Sequence, residues 1–102
     1  MATIQKKEVF SQNLSVVKLN TLIATTPHRD VSEKLKVISE MLRFSDYHSY
    51  PELEDLDSDI RKTMRDIQMN INDLGASLAL TKKLEILVKE RCETCKYLRK
   101  VK

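Results

Sequence analysis

The sequence predicts an all-α protein, a four-helix bundle in up-down-up-down order built on a long C-terminal antiparallel hairpin. Three observations carry this. The chain of 102 residues has one glycine and two prolines, too few breakers for a sheet protein with many turns. Hydrophobic residues make up 41% and charged residues 32%, which suits amphipathic helices around one core and is too apolar for a disordered tail. Apolar residues also recur at steps of three and four along most of the chain, the period of a helix with one buried face. A chain of this length folds as a single domain, residues 1–102, with a modest core.

The first helix is expected over about 3–24, with Val9, Phe10, Leu14, Val16, Val17, Leu19, Leu22 and Ile23 as its apolar side. Thr25, Thr26 and Pro27 end it, because the residue before a proline is pushed out of the helical region. Asp30, Val31, Ser32 and Glu33 match a capping box, so the second helix is expected over about 31–44, with Val31, Leu35, Ile38 and Leu42 facing inward. Phe44 to Pro51 reads FSDYHSYP and holds three of the five aromatic residues. Its Ser, Asp and Pro content marks a loop. Ser49 and Glu52 resemble a second capping box, and Pro51 suits a first helical turn.

The third helix is expected over about 52–74, with Leu53, Leu56, Ile60, Met64, Ile67, Ile71 and Leu74 in one stripe. The fourth, about 77–100, resumes it with Leu80, Leu84, Leu87, Val88, Cys92, Cys95 and Leu98. Gly75 reads as the left-handed residue that closes the third helix, and Ser77 as the cap of the fourth. The rival is one continuous helix of nearly fifty residues, about 70 Å long at 1.5 Å per residue. Charge placement favours the hairpin: Glu52, Glu54, Asp55, Asp57 and Asp59 crowd one end, while Lys96, Arg99, Lys100 and Lys102 crowd the other. Folding back sets Glu52 near Lys100 and Asp55 near Lys96 and Arg99. Each sign then also sits at the helix terminus whose dipole favours it.

Several function classes lose ground on composition. The formal net charge is +3, and each half of the chain is nearly balanced, with seven bases to five acids in residues 1–51 and eleven to ten in 52–102. No run reaches the roughly 18 apolar residues of a membrane span. The start, with Lys6, Lys7, Glu8, Ser11, Gln12 and Asn13, has no signal-peptide core, so a cytoplasmic location is expected. Cys92 and Cys95 share a helical face, but a structural zinc needs four ligands and only His28 and His48 remain to add. No metal or other cofactor is expected. A Gly-rich phosphate loop, a metal-binding His pair and a nucleophile motif are all absent, so the sequence predicts no enzyme and no small-molecule ligand.

The runs EMLRFSDYHSYPELEDLDSDI and LEILVKERCETCKYL carry a family likeness. They resemble small helical proteins of bacterial and prophage genomes, in which an Arg-aromatic-Ser-Asp turn joins two helices and a basic, Cys-containing ending closes the chain. Arg43, Phe44, Ser45 and Asp46, then Arg91 to Lys96, are the matching residues. The resemblance spans about half the chain. It implies a small accessory protein of a bacterium or phage and no particular activity.

The expected function is therefore non-catalytic protein–protein interaction. The second helix is about 12 Å shorter than its neighbours at 1.5 Å per residue, which leaves part of the hairpin's stripe to be covered by a homodimer partner or another protein. Met64, Ile67, Ile71, Leu84 and Val88 are the expected contacts, with Tyr47 and Tyr50 of the aromatic loop beside them. One alternative is a nucleic-acid-binding module using Lys96, Arg99, Lys100 and Lys102. Another is a small immunity or inhibitor protein that binds another protein.

Overall fold

The computed structural model describes residues 16–43 and 51–101. All regular structure among them is helical. Helix α1 occupies 16–25 of the described residues, α2 runs Arg29–Arg43, a 3-10 turn spans Pro51–Leu53, α3 runs Glu54–Met69 and α4 runs Leu74–Val101. Four helices pack compactly as a helical bundle, and α4 touches both α2 and α3. Positions 3–15 of the expected first helix, the 44–50 part of the aromatic loop with Ser49, and Lys102 lie outside the described residues.

The start of α2 departs from the expected capping box. The helix begins two residues earlier, at Arg29, so Asp30 sits inside the first turn rather than capping it. Thr26 Oγ accepts the backbone N–H of His28 at 3.2 Å, and the carbonyl of His28 accepts from Ser32 at 3.0 Å. Glu33, expected to reach back to Asp30, instead pairs with Arg29 one turn away at 3.2 Å.

The break between α3 and α4 also falls earlier than expected. α3 ends at Met69, and Asn70 closes it by donating its N–H to the carbonyls of Asp66 and Ile67, both at 3.1 Å. The cap of α4 is Asp73, whose Oδ1 accepts the N–H of Ala76 at 3.1 Å, the usual reach from an N-cap carboxylate to the third helical residue. Gly75 is therefore a helical residue in the first turn, and no glycine here has a positive φ. Ser77 is not the cap. It is buried, and its hydroxyl donates to the carbonyl of Asn70 at 2.7 Å, tying α4 back across the turn.

A Cβ added at Gly75 would meet only Asp73 Oδ1, at 3.6 Å. Gly75→Ala should therefore raise stability by about 0.5–1 kcal/mol, the ordinary gain of alanine over glycine in a helix. Urea unfolding measures this. A left-handed Gly75 would give a loss instead.

Two apolar clusters hold the helices together. The larger joins Leu19 and Leu22 of α1, Val31, Leu35, Ile38 and Leu42 of α2, Ile60, Met64 and Ile67 of α3, and Leu84 and Val88 of α4. The smaller, towards the start of α3 and the end of α4, joins Leu53, Cys95 and Leu98, with Leu56 against it. Each fully buried aliphatic side chain contributes roughly 1.5–3 kcal/mol relative to exposure. On α4 the buried residues are Ser77, Thr81, Leu84, Val88, Arg91, Cys95 and Leu98, at alternating steps of four and three. Three of the seven are polar or charged.

Each polar member has a partner. Thr81 donates to the carbonyl of Ser77 at 2.6 Å, and Arg91 Nε donates to Asp57 Oδ1 of α3 at 2.7 Å. Between α1 and α2, Ser39 Oγ donates to Asn20 Oδ1 at 3.4 Å.

Candidate functional site

Most residues expected to meet a partner belong instead to the core. Met64, Ile67, Leu84 and Val88 are each at most 2% exposed within a single chain, and Ile71 is half-buried. They pack in one cluster with residues of α1 and α2, so the uncovered stripe expected from a short second helix is not formed by them. The physical reason is that α2, with 15 residues, is nearly as long as α3, with 16, and that α1 and α2 both pack into the cluster that holds these residues. Tyr47 and Tyr50 lie outside the described residues.

The basic end divides. Lys96, Arg99 and Lys100 are exposed, whereas Arg91 is 4% exposed and committed to Asp57. A guanidinium beside a carboxylate at 2.7 Å in a buried site is held by a charge-assisted hydrogen bond, about twice the strength of a neutral one. Its Nη1 also approaches Cys95 Sγ at 3.6 Å. Glu90 and Glu93, both exposed, precede these bases on the same helix.

Cys95 is buried and Cys92 is half-buried, packed against α2 where its thiol approaches the carbonyl of Met41 at 3.9 Å. Burial pushes the Cys92 thiol above its usual range, against the opposing pull of Arg91 and Lys96. At pH 8 it holds less thiolate than free cysteine, and thiolate is the reactive form. Iodoacetamide should thus label the native protein much more slowly than the urea-unfolded chain, as mass spectrometry over a time course would show.

His28 sits in the turn between α1 and α2, beside the α2 N-terminus, while Cys92 lies by Met41 near the far end of the same helix. The two cannot share a metal ion. No group of three or more His, Cys, Asp or Glu suited to a metal occurs among the described residues, and no described helix is long and apolar enough to cross a membrane.

What remains is the outer face of α4, which the sequence reading passed over. At about 100° per residue, Gly75, Ala79, Lys82, Ile86, Glu93 and Tyr97 fall on the side opposite the buried seam, and all six are exposed. Ile86 is 58% exposed, Tyr97 64% and Val101 58%. The signal was a second set of steps, of four, three, four, seven and four, masked by the lysines and glutamates between them. Beside the small residues of this face runs an open groove to α2, lined by Gly75, Leu78, Ala79 and Lys82 on one wall and Asp30, Glu33, Lys34 and Val37 on the other. Val37 is itself half exposed.

A groove with an apolar floor and charged rims, continuous with a helix face carrying large apolar side chains, can receive a protein segment. No family model matches the sequence, and comparison with curated proteins and with solved structures yields no significant match.

Proposed function

We propose that the protein is a non-catalytic interaction module that binds a protein through the outer face of α4. In this reading the chain is an up-down-up-down bundle, and its antiparallel α3–α4 hairpin is the scaffold that presents this face. The hairpin rests on two cross-helix bonds, Asp57 to Arg91 near one end and Asn70 to Ser77 near the other.

The observation that carries the reading is the pairing of two opposite stripes on one helix. One is buried in the core from Ser77 to Leu98; the other leaves Ile86, Tyr97 and Val101 more than half exposed. Single exposed apolar residues are ordinary, but an aligned set is a feature of contact surfaces, and tyrosine is enriched at them.

A photo-crosslinking side chain at position 86 tests this in cells. A stoichiometric adduct at 86, to this chain or to another protein, with none from the exposed Lys62 of α3, is the expected result. Equal, weak labelling at both positions removes the proposal.

A further inference from the structure

A second depression lies between α1 and α3, and its chemistry is more one-sided than that of the α2–α4 groove. Its volume is about 530 Å³, within the roughly 300–1,000 Å³ of small-molecule sites. The floor is apolar, made by the buried Leu22 and Met64 and the half-buried Ile71. The rim carries Lys18, Arg65 and Gln68, all exposed, and among the described residues no acid lines it. The α2–α4 groove, by contrast, mixes Asp30 and Glu33 with Lys34 and Lys82 and so selects neither sign.

We infer that the α1–α3 cleft binds a small amphiphilic carboxylate, an aliphatic acid whose chain lies on the apolar floor and whose head group sits at Lys18 and Arg65. This site is separate from the outer face of α4 and does not depend on the role of that face.

Charge selects the head group. Lys18 and Arg65 repel each other across one cleft, and among the described residues neither has an ion pair. An anion between them removes the repulsion and gains charge-assisted hydrogen bonds, and the planar guanidinium of Arg65 suits a two-pronged pair with a carboxylate. Thr21 and Thr25 already donate their hydroxyls, to the carbonyls of Val17 and Thr21 respectively. Gln68 adds one neutral amide donor. The chain's own start is no substitute for the anion, since residues 1–15 carry Lys6 and Lys7 against Glu8 alone.

Length and polarity select the rest of the molecule. The cleft runs from Lys18 to Thr25 on α1 and from Met64 to Ile71 on α3, about 10 Å at 1.5 Å per residue. Two helical turns offer too little surface for a stable protein interface, but they match an aliphatic chain of medium length. In the up-down-up-down reading α1 and α3 run parallel. Lys18 and Arg65 then share one end of the cleft, and Thr25 and Ile71 the other, so the charged and apolar ends of the site follow those of the ligand.

The test is backbone amide NMR of the native chain titrated with octanoate. One saturable site is expected, with shifts at Lys18, Thr25, Arg65 and Gln68 and none at Glu93 or Tyr97 on the outer face of α4. Octylammonium and octanol should each bind at least about tenfold more weakly, because neither can pair with the two cations. Acetate, which has the head group without the chain, should also bind at least about tenfold more weakly. K18Q and R65Q replace exposed side chains and should stay folded by circular dichroism, and each should weaken octanoate binding about tenfold.

Absence of saturable shifts in the cleft overturns the inference. So does octylammonium or acetate that binds as tightly as octanoate, or octanoate binding that withstands both K18Q and R65Q. Octanoate shifts centred on Ile86 and Tyr97 overturn it too, because the apolar chain alone would then direct binding to the outer face of α4. None of these results alters the crosslinking outcome at position 86, so the two proposals fail separately.

Discussion

Asp57→Ala should destabilise the protein by about 3 kcal/mol, because it removes the carboxylate that the buried Arg91 guanidinium holds at 2.7 Å. Arg91 lies 5% exposed at its side chain, so its charge is largely removed from water. Asp57 is the more accessible partner, at 23%, so the reverse change, Arg91→Leu, should cost less: the carboxylate it leaves behind can be hydrated. The pair D57A/R91L should recover most of the loss, since an apolar replacement of a buried ion pair is often neutral or better. Urea unfolding of the three variants decides this. Equal losses for both single variants would mean that the carboxylate is as dry as the guanidinium.

Leu84→Ala is the second large effect, also about 3 kcal/mol, from lost burial and the cavity left behind. Leu84 is fully buried in the larger cluster, midway along the seam of α4. The variant should unfold at lower urea while its molar mass stays that of the native chain. That outcome separates a core residue from a contact residue. Had Leu84 been the partner contact expected from the sequence, its truncation would change association and leave unfolding almost untouched.

The pattern of residues made the helical class and the inward faces of α2 and α3 legible. Val31, Leu35, Ile38 and Leu42, then Leu53, Ile60, Met64 and Ile67, are buried as their spacing required, whereas Leu56 and Ile71 are half-buried and Leu74, expected on the same stripe, is 45% exposed at the start of α4. The seam of α4 was less so, since Ser77, Thr81 and Arg91 occupy three of its seven buried places and do not count as apolar in a periodic reading. Only the structure reveals that each is buried because a nearby carbonyl or carboxylate satisfies it.

The turn was misplaced for a related reason. Gly75 is the one glycine in the chain, but the turn is made by Asn70, Asn72 and Asp73, whose side chains are the ordinary material of turns and caps. Asp73 in particular carries the sequence signature of an N-cap, three residues before the amide it accepts. The outer face is not legible in the sequence, because an exposed set diluted by charges gives no clear period. Its members stand out only when the opposite side of the same helix is known to be full.

The place of the ion pair within the core has a consequence for how the sequence can change over generations. Asp57 lies between Leu53 and Leu56 of the smaller cluster and Ile60 of the larger, and Arg91 lies between Cys95 and Val88 in the same way. Sliding α4 by one turn, about 5.4 Å, would bring Arg91 against a hydrocarbon neighbour and Asp57 against Val88 or Cys95. The more deeply buried guanidinium tolerates that least. Aliphatic residues within either cluster can therefore exchange for others of similar volume at small cost, whereas positions 57 and 91 are coupled, with loss of Asp57 alone the costlier of the two single changes.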